Sequence, residues 1–131
     1  MLLRKNGSTS NILDWRMRRS DTGQGLTGLS GSSTGLIIAT QCDNEAAATV
    51  YSQAAGTIQT ITTLGTFAAP SASNCRFKEI DSTNEKGEYQ FQFDNARFAV
   101  AGAKFLEVSW TGATNLLDGG VHDPTDFDRR G

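Results

Sequence analysis

His122 is the single histidine among 131 residues, and it stands in an acidic C-terminal stretch. An imidazole that titrates near neutral pH is the common partner of a serine, threonine or cysteine nucleophile. It would serve one here only if that stretch docked in a cleft; the plainer reading is a solvent-exposed histidine. Asp118, Asp123, Asp126 and Asp128 offer hard oxygen ligands to a calcium ion, but their spacing matches no calcium loop, so a hydrophilic tail stands beside that reading. Asp81, Glu85 and Glu88 flank one turn and pose the same choice between a cation site and a solvated turn. Glu79 with Glu88 or Asp94 could mimic the carboxylate pair of a glycosidase. Opposed strand positions also carry such charges for solubility.

Cys42 and Cys75 are the two cysteines. Two cannot build a disulfide framework, and their separation matches no metal motif. They read as buried thiols acting as small hydrophobes, or as a single bridge between neighbouring strands, which an origin in the cytosol disfavours. The run from Ser20 to Gly35 is dense in glycine. Its spacing fits neither a dinucleotide fingerprint nor a P-loop, and no helix follows, so a long connection fits it better than a phosphate cradle. Arg16, Arg18 and Arg19 form a local basic cluster flanked by Asp14 and Asp21. They read as a solvated strand face or as ion pairs with a neighbouring subunit. Tyr51 and Phe67 are the aromatics least bound to a core pattern. If exposed together they would make a stacking platform for a glycan, although Phe67 beside Pro70 also suits a ring tucked under a loop. The residue types predict no catalytic residues, no cofactor and no metal, and the chain is read as not an enzyme.

The composition narrows the partners. Formal net charge is −2, so no basic field exists to hold a phosphate backbone, and nucleic acid is excluded as a partner. No run of about 18 apolar residues is present, which predicts no membrane span. Met1 to Asn6 lacks the apolar stretch of a secretory signal, so the chain is expected to be made in, and stay in, the cytosol, or to leave it within an assembly. Hydrophobic residues make up 37%, with abundant Gly, Ser, Thr and Ala, a profile of short strands joined by many turns.

The elements that would position these groups are strands. Tyr89, Phe91 and Phe93 alternate with Glu88, Gln90, Gln92 and Asp94, which predicts a strand with one aromatic and one wet face. Cys75 to Asp81 is its hairpin partner. Leu13, Trp15 and Met17 alternate with Asp14, Arg16 and Arg18 in a half-buried strand anchored by Trp15. Leu36 to Cys42 is a near-continuous apolar run and reads as a central strand buried on both sides. Lys104 to Thr111 places Leu106, Val108 and Trp110 inward. Asn95 to Gly102 reads as one or two helical turns capped by Asn95, with Phe98 inward. Ala48 to Tyr51 and Ile58 to Leu64 are further strands, and Met1 to Lys5 is an edge strand. The fold class is therefore all-β: an antiparallel β-sandwich of about seven to eight strands with one short helical turn, over residues 1–117. Residues 118–131 bury too little apolar surface to order alone, and read as a flexible tail or an arm that orders on a partner. Its removal is expected to leave thermal unfolding nearly unchanged.

Three groups of residues carry a resemblance: Leu3 to Asn6 leading into the Trp15 strand; Asp21-Thr-Gly-Gln-Gly-Leu-Thr-Gly-Leu29; and Lys78 to Tyr89 followed by the Asn95–Gly102 turn and the Trp110 strand. In this order the chain is similar, over about residues 1 to 115, to small immunoglobulin-like β-sandwich proteins of tailed-phage virions. The N-terminal domain of the phage baseplate upper protein is one of these. The resemblance implies an adaptor or decoration of a tail, baseplate, neck or capsid, without an active site. The chain ends soon after the resemblance does, where that baseplate protein continues into a long C-terminal part, so a free-standing virion protein is expected. Its partners would be other virion proteins and copies of itself, through Leu2, Leu3 and Arg4 pairing with a neighbour's sheet edge and through Val121, Phe127, Arg129 and Arg130 lying on an adjacent subunit. A glycan- or receptor-binding module is the alternative.

Overall fold

A computed structural model describes residues 3–71 and 73–128, and the side chains of 6–71 and 73–119. The strands are β1 (Leu3–Lys5), β2 (Ile12–Arg16), β3 (Ile37–Cys42), β4 (Thr49–Ser52), β5 (Ile58–Thr60), β6 (Cys75–Asp81), β7 (Glu85–Gln92), β8 (Phe105–Thr111) and β9 (Gly119–Asp128), with a 3-10 turn at Asn95–Phe98 between β7 and β8. They form a five-stranded sheet in the order β1-β9-β8-β3-β4 and a four-stranded sheet in the order β2-β7-β6-β5. The molecule is all-β, as the alternation patterns predict. Most pairings are antiparallel, but β1 runs parallel to β9 and β5 parallel to β6, so the expected purely antiparallel arrangement is corrected at two places. Among the described residues no helix is long and apolar enough to cross a membrane.

The inward positions are those the two-residue period marks. Leu13, Trp15 and Met17 from β2 and the residue just after it, Tyr89 and Phe91 from β7, Phe93 beyond its end, and Leu106, Val108 and Trp110 from β8 are all buried in one core. Trp15 stacks on Phe91 with ring centroids 3.9 Å apart and on Trp110 at 5.3 Å. Trp15 and Trp110 belong to different sheets, so this stack ties the two layers together. Truncating such a buried aromatic to alanine costs about 3–5 kcal/mol. Phe98 is buried from the 3-10 turn, as expected. The turn is not capped as expected: Asp94 precedes it, and the Asn95 carboxamide oxygen instead accepts the Ser10 N–H at 2.9 Å.

Three expectations change. Strand β3 is central in its sheet but buried on one face only: Leu36, Ile38 and Cys42 point inward, whereas Ile37 is 39% exposed. A run of apolar residues does not say which side is covered. The outward face of β7 is not wet. Gln90 and Gln92 are buried, because the segment after β5 crosses over them: Gln90 Oε1 accepts the Gly65 N–H, Gln92 Oε1 accepts the Ala68 N–H, and Gln92 Nε2 donates to the Thr66 carbonyl, at 2.9, 3.0 and 3.0 Å. Polar side chains here serve as backbone partners, which satisfies a loop with no ladder of its own. Residues 119–128, read as tail or arm, form β9 between β8 and β1. Ladder hydrogen bonds come from the main chain, so the acidic, glycine-containing composition does not prevent pairing. Pro124, which has no N–H, falls inside the register shift between the Val108↔Val121 and Leu106↔Thr125 pairs.

Candidate functional site

Several ionisable and hydroxyl side chains are engaged in holding the fold. Glu79 lies at the rim of the core. One carboxylate oxygen accepts the Gly28 N–H and the other the Gly87 N–H, both at 3.0 Å. It thus fastens the glycine-rich connection to the β6–β7 hairpin. The Tyr89 hydroxyl works beside it, donating to the Leu26 carbonyl at 2.7 Å and accepting the Leu29 N–H at 3.0 Å. The glycines of this connection are needed for close approach: a Cβ on Gly25 would collide with the Lys86 carbonyl, and Gly87 beside it has φ +84°. The connection is therefore a strap across one end of the molecule. A shallow cleft of about 510 Å³ lies between it and β6, with Leu29, Lys78 and Asp81 on its walls. Asp81 closes the hairpin turn, accepting from the Thr83 and Asn84 N–H groups and the Asn84 carboxamide, which holds its carboxyl below the usual range.

The arginine cluster is satisfied within the chain. Arg16 pairs with Glu88 across β2 and β7 at 3.4 Å, Arg18 donates to the Gly23 carbonyl at 3.0 Å, and Arg19 grips Asp21 through two contacts of 2.9 Å. All are exposed or half-exposed and contribute little stability. Cys42 and Cys75 are buried and free. Burial pushes the Cys42 thiol up to about 11 and raises Cys75 further, so both are protonated at neutral pH and poor nucleophiles. Tyr51, the principal residue of the glycan platform, is fully buried with its ring against Phe93 at 5.8 Å, and Phe67 is half-buried. That platform is corrected: strand β4 turns Tyr51 inward and Val50 outward. The His122 side chain and those of Asp123, Asp126 and Asp128 lie outside the described residues. Among the described residues no group of three or more His, Cys, Asp or Glu could hold a metal ion.

One polar cluster escaped the sequence reading. The Arg97 guanidinium, carried by the 3-10 turn, makes two charge-assisted hydrogen bonds to the Glu45 carboxylate and donates from Nε to Thr40 Oγ1 at 3.0 Å. Glu45 in turn accepts the Cys42 N–H at 2.8 Å. The Arg97 hydrogen bond is the main reason the Glu45 carboxyl falls from 4.5 to about 2, against the opposing effect of burial. Asp43 beside it accepts the Lys104 N–H at 2.7 Å, and Asn44 donates to the Ala101 carbonyl at 2.9 Å. Together they bolt the β3–β4 turn to the crossover between sheets. The available signal was a lone arginine inside the Ala- and Phe-rich segment Asn95 to Gly102.

What the described surface leaves open is a sheet face. The outward rows Thr111–Ile37–Ser52 and Ser109–Ala39–Val50 run across β8, β3 and β4 without a charge. Glu107, opposite Gln41, is the one charged residue on the described part of that face. Val50 and Ile37 are 57% and 39% exposed, two of the three exposed large hydrophobics among the described residues. Of the residues expected to make contacts, Leu2, Arg129 and Arg130 lie outside the described residues. Leu3 and Arg4 fall in the edge strand β1, and Val121 and Phe127 in β9, with the backbone alone described. No protein-family model matches this chain, no curated protein matches it, and no solved structure matches it.

Proposed function

We propose that this chain is an immunoglobulin-like β-sandwich serving as a structural protein of a tailed-phage virion, an adaptor or decoration in a tail, baseplate, neck or capsid. In this reading it is made in the host cytoplasm and works through contacts with other virion proteins and with copies of itself. The observation that carries the reading is the contrast between the two outer faces. The segment at residues 65–68 covers Gln90 and Gln92 on one sheet, whereas the other presents a nearly uncharged surface of Ile, Val, Ala, Ser and Thr. Surfaces depleted of charge with exposed aliphatics suit protein contact. The order of turn and core motifs shared with phage sandwich proteins supports the particular setting.

Magnitude sets the mode. Three strands at about 4.8 Å spacing and about six residues long cover roughly 300 Å². A stable isolated pair needs about 800 Å² from each partner. The face alone therefore gives a weak contact, which gains strength where many copies repeat in one assembly. The test is mass spectrometry of purified particles of the phage that encodes the chain, with wild type compared against Val50→Lys. The expected result is a fixed copy number for wild type and reduced incorporation for the variant, at a thermal stability within about 0.5 kcal/mol of the parent. A chain absent from particles would refute the role.

A further inference from the structure

We propose that β1 is an exchangeable strand: residues 3–5 of one copy occupy the β9 edge of a second copy in place of that copy's own β1. This names the partner for the self-contact in the functional reading, and its geometry stands independently of the virion setting. Strand β1 is the end strand of its sheet and pairs with β9 alone, in parallel, through Leu3↔Asp126, Arg4↔Phe127 and Lys5↔Asp128. Parallel ladders are the weaker kind per residue, and a three-residue one with no strand outside it is a slight tie.

The chain immediately after β1 is fastened firmly. Asn6 Nδ2 donates to the Val100 carbonyl at 2.9 Å, the Gly7 N–H to the Phe98 carbonyl at 2.7 Å, and the Ser10 N–H to Asn95 Oδ1 at 2.9 Å. These bonds tie residues 6–10 to the crossover between sheets, so departure of β1 leaves the rest of the fold in place. It also exposes a row of N–H and C=O groups along β9. The segment that fits that row is already known, because it is the same strand from any other copy. Three extended residues span about 10 Å, so the exchange reaches only a copy abutting this edge. Reciprocal exchange closes a dimer. One-way exchange continues into a ring or filament, as repeated positions in a particle require.

The experiment uses the full chain with two single substitutions, Arg4→Cys and Phe127→Cys, made in separate proteins and mixed at high concentration in a glutathione redox buffer. Oxidised glutathione takes up the two electrons and leaves as the reduced thiol. Both variants must keep the parent's thermal transition, and Arg4→Cys/Phe127→Cys in one chain, closing in cis at high dilution, verifies the register. The expected result is a disulfide-linked heterodimer forming about tenfold or more faster than between Arg4→Cys and Thr34→Cys, an exposed loop position, because pairing raises the local thiol concentration. Linking no faster than this collision control overturns the exchange. A chain missing from virions would remove the role and leave this result untouched.

Discussion

Acid should unfasten the Arg97–Glu45 clamp, and Glu45→Gln isolates how much it contributes. The Glu45 carboxyl falls from its ordinary 4.5 to about 2 in the folded protein, chiefly through its hydrogen bonds with Arg97. That difference, at about 1.4 kcal/mol for each pH unit, sets a ceiling of about 3 kcal/mol. The Glu45 side chain is 22% exposed and that of Arg97 11%, so solvent screens part of the interaction and about 2 kcal/mol is expected. The folded pKa lies below the unfolded one. The contribution is therefore complete above about pH 5 and is lost as pH falls through about 2. The assay is urea unfolding of wild type and Glu45→Gln at about pH 7, 4 and 2. Subtracting the two curves cancels the other carboxylates held low by hydrogen bonds, among them Asp21, Asp43 and Asp81. The expected difference is largest at neutral pH and is mostly lost by about pH 2. A difference that stays constant across this range would refute the clamp, since a purely steric effect of the substitution does not titrate.

Other perturbations read other parts of the frame. Gln92→Leu removes the partners of the Ala68 N–H and the Thr66 carbonyl and should cost about 2 kcal/mol, with faster amide exchange at Ala68; unchanged exchange would show that this segment does not depend on it. Gly25→Ala drives a methyl into the Lys86 carbonyl and should lower stability by about 2–3 kcal/mol in urea, whereas Gly23→Ala, with no heavy atom near the new Cβ, meets only the cost of its positive φ and should lose less; equal losses would contradict the close approach. Native protein should leave both thiols unlabelled by a thiol reagent at neutral pH, and both should react once unfolded; rapid labelling of Cys42 or Cys75 in the native state would contradict their burial. Removing residues 118–131 now has the opposite expectation to that drawn from composition: it strips β9 from between β8 and β1, and thermal unfolding should move down by several degrees.

Strand identity was legible wherever a two-residue period coincided with bulky side chains. Leu13-Asp-Trp-Arg-Met and Leu106-Glu-Val-Ser-Trp each announce one buried and one outward face, and each is placed so. The period is silent about what lies over the outward face. Gln90 and Gln92 have the polarity of solvated positions and are buried because a distant segment needs hydrogen-bond partners. Leu36 to Cys42 shows the converse, since Ile37 is apolar and outward, on a face no other described segment covers. Strand β9 was hidden for a different reason. Its pairing is a main-chain property, and its sequence carries no apolar alternation to reveal it. The Arg97–Glu45 clamp joins residues 52 apart in the chain, and no local spacing brings them together.

The distribution of polar work explains where function is left to reside. Glu79, Tyr89, Gln92 and Arg97 each bond to a segment outside the strand ladders: Gly28, Leu26, Thr66 and Glu45. Those bonds engage the Glu79 carboxylate and the Tyr89 hydroxyl in holding the fold. The same economy fixes the ends of the molecule and one outer sheet face under the chain's own loops. Among the features it leaves open are the weakly polar face of β8, β3 and β4, and the outer edge of β1, one of the end strands of the two sheets. One is a surface whose lack of charge tolerates a close neighbour. The other is a row of main-chain groups that another strand completes. In the proposed role beside copies of itself, both features would be used against a rigid remainder.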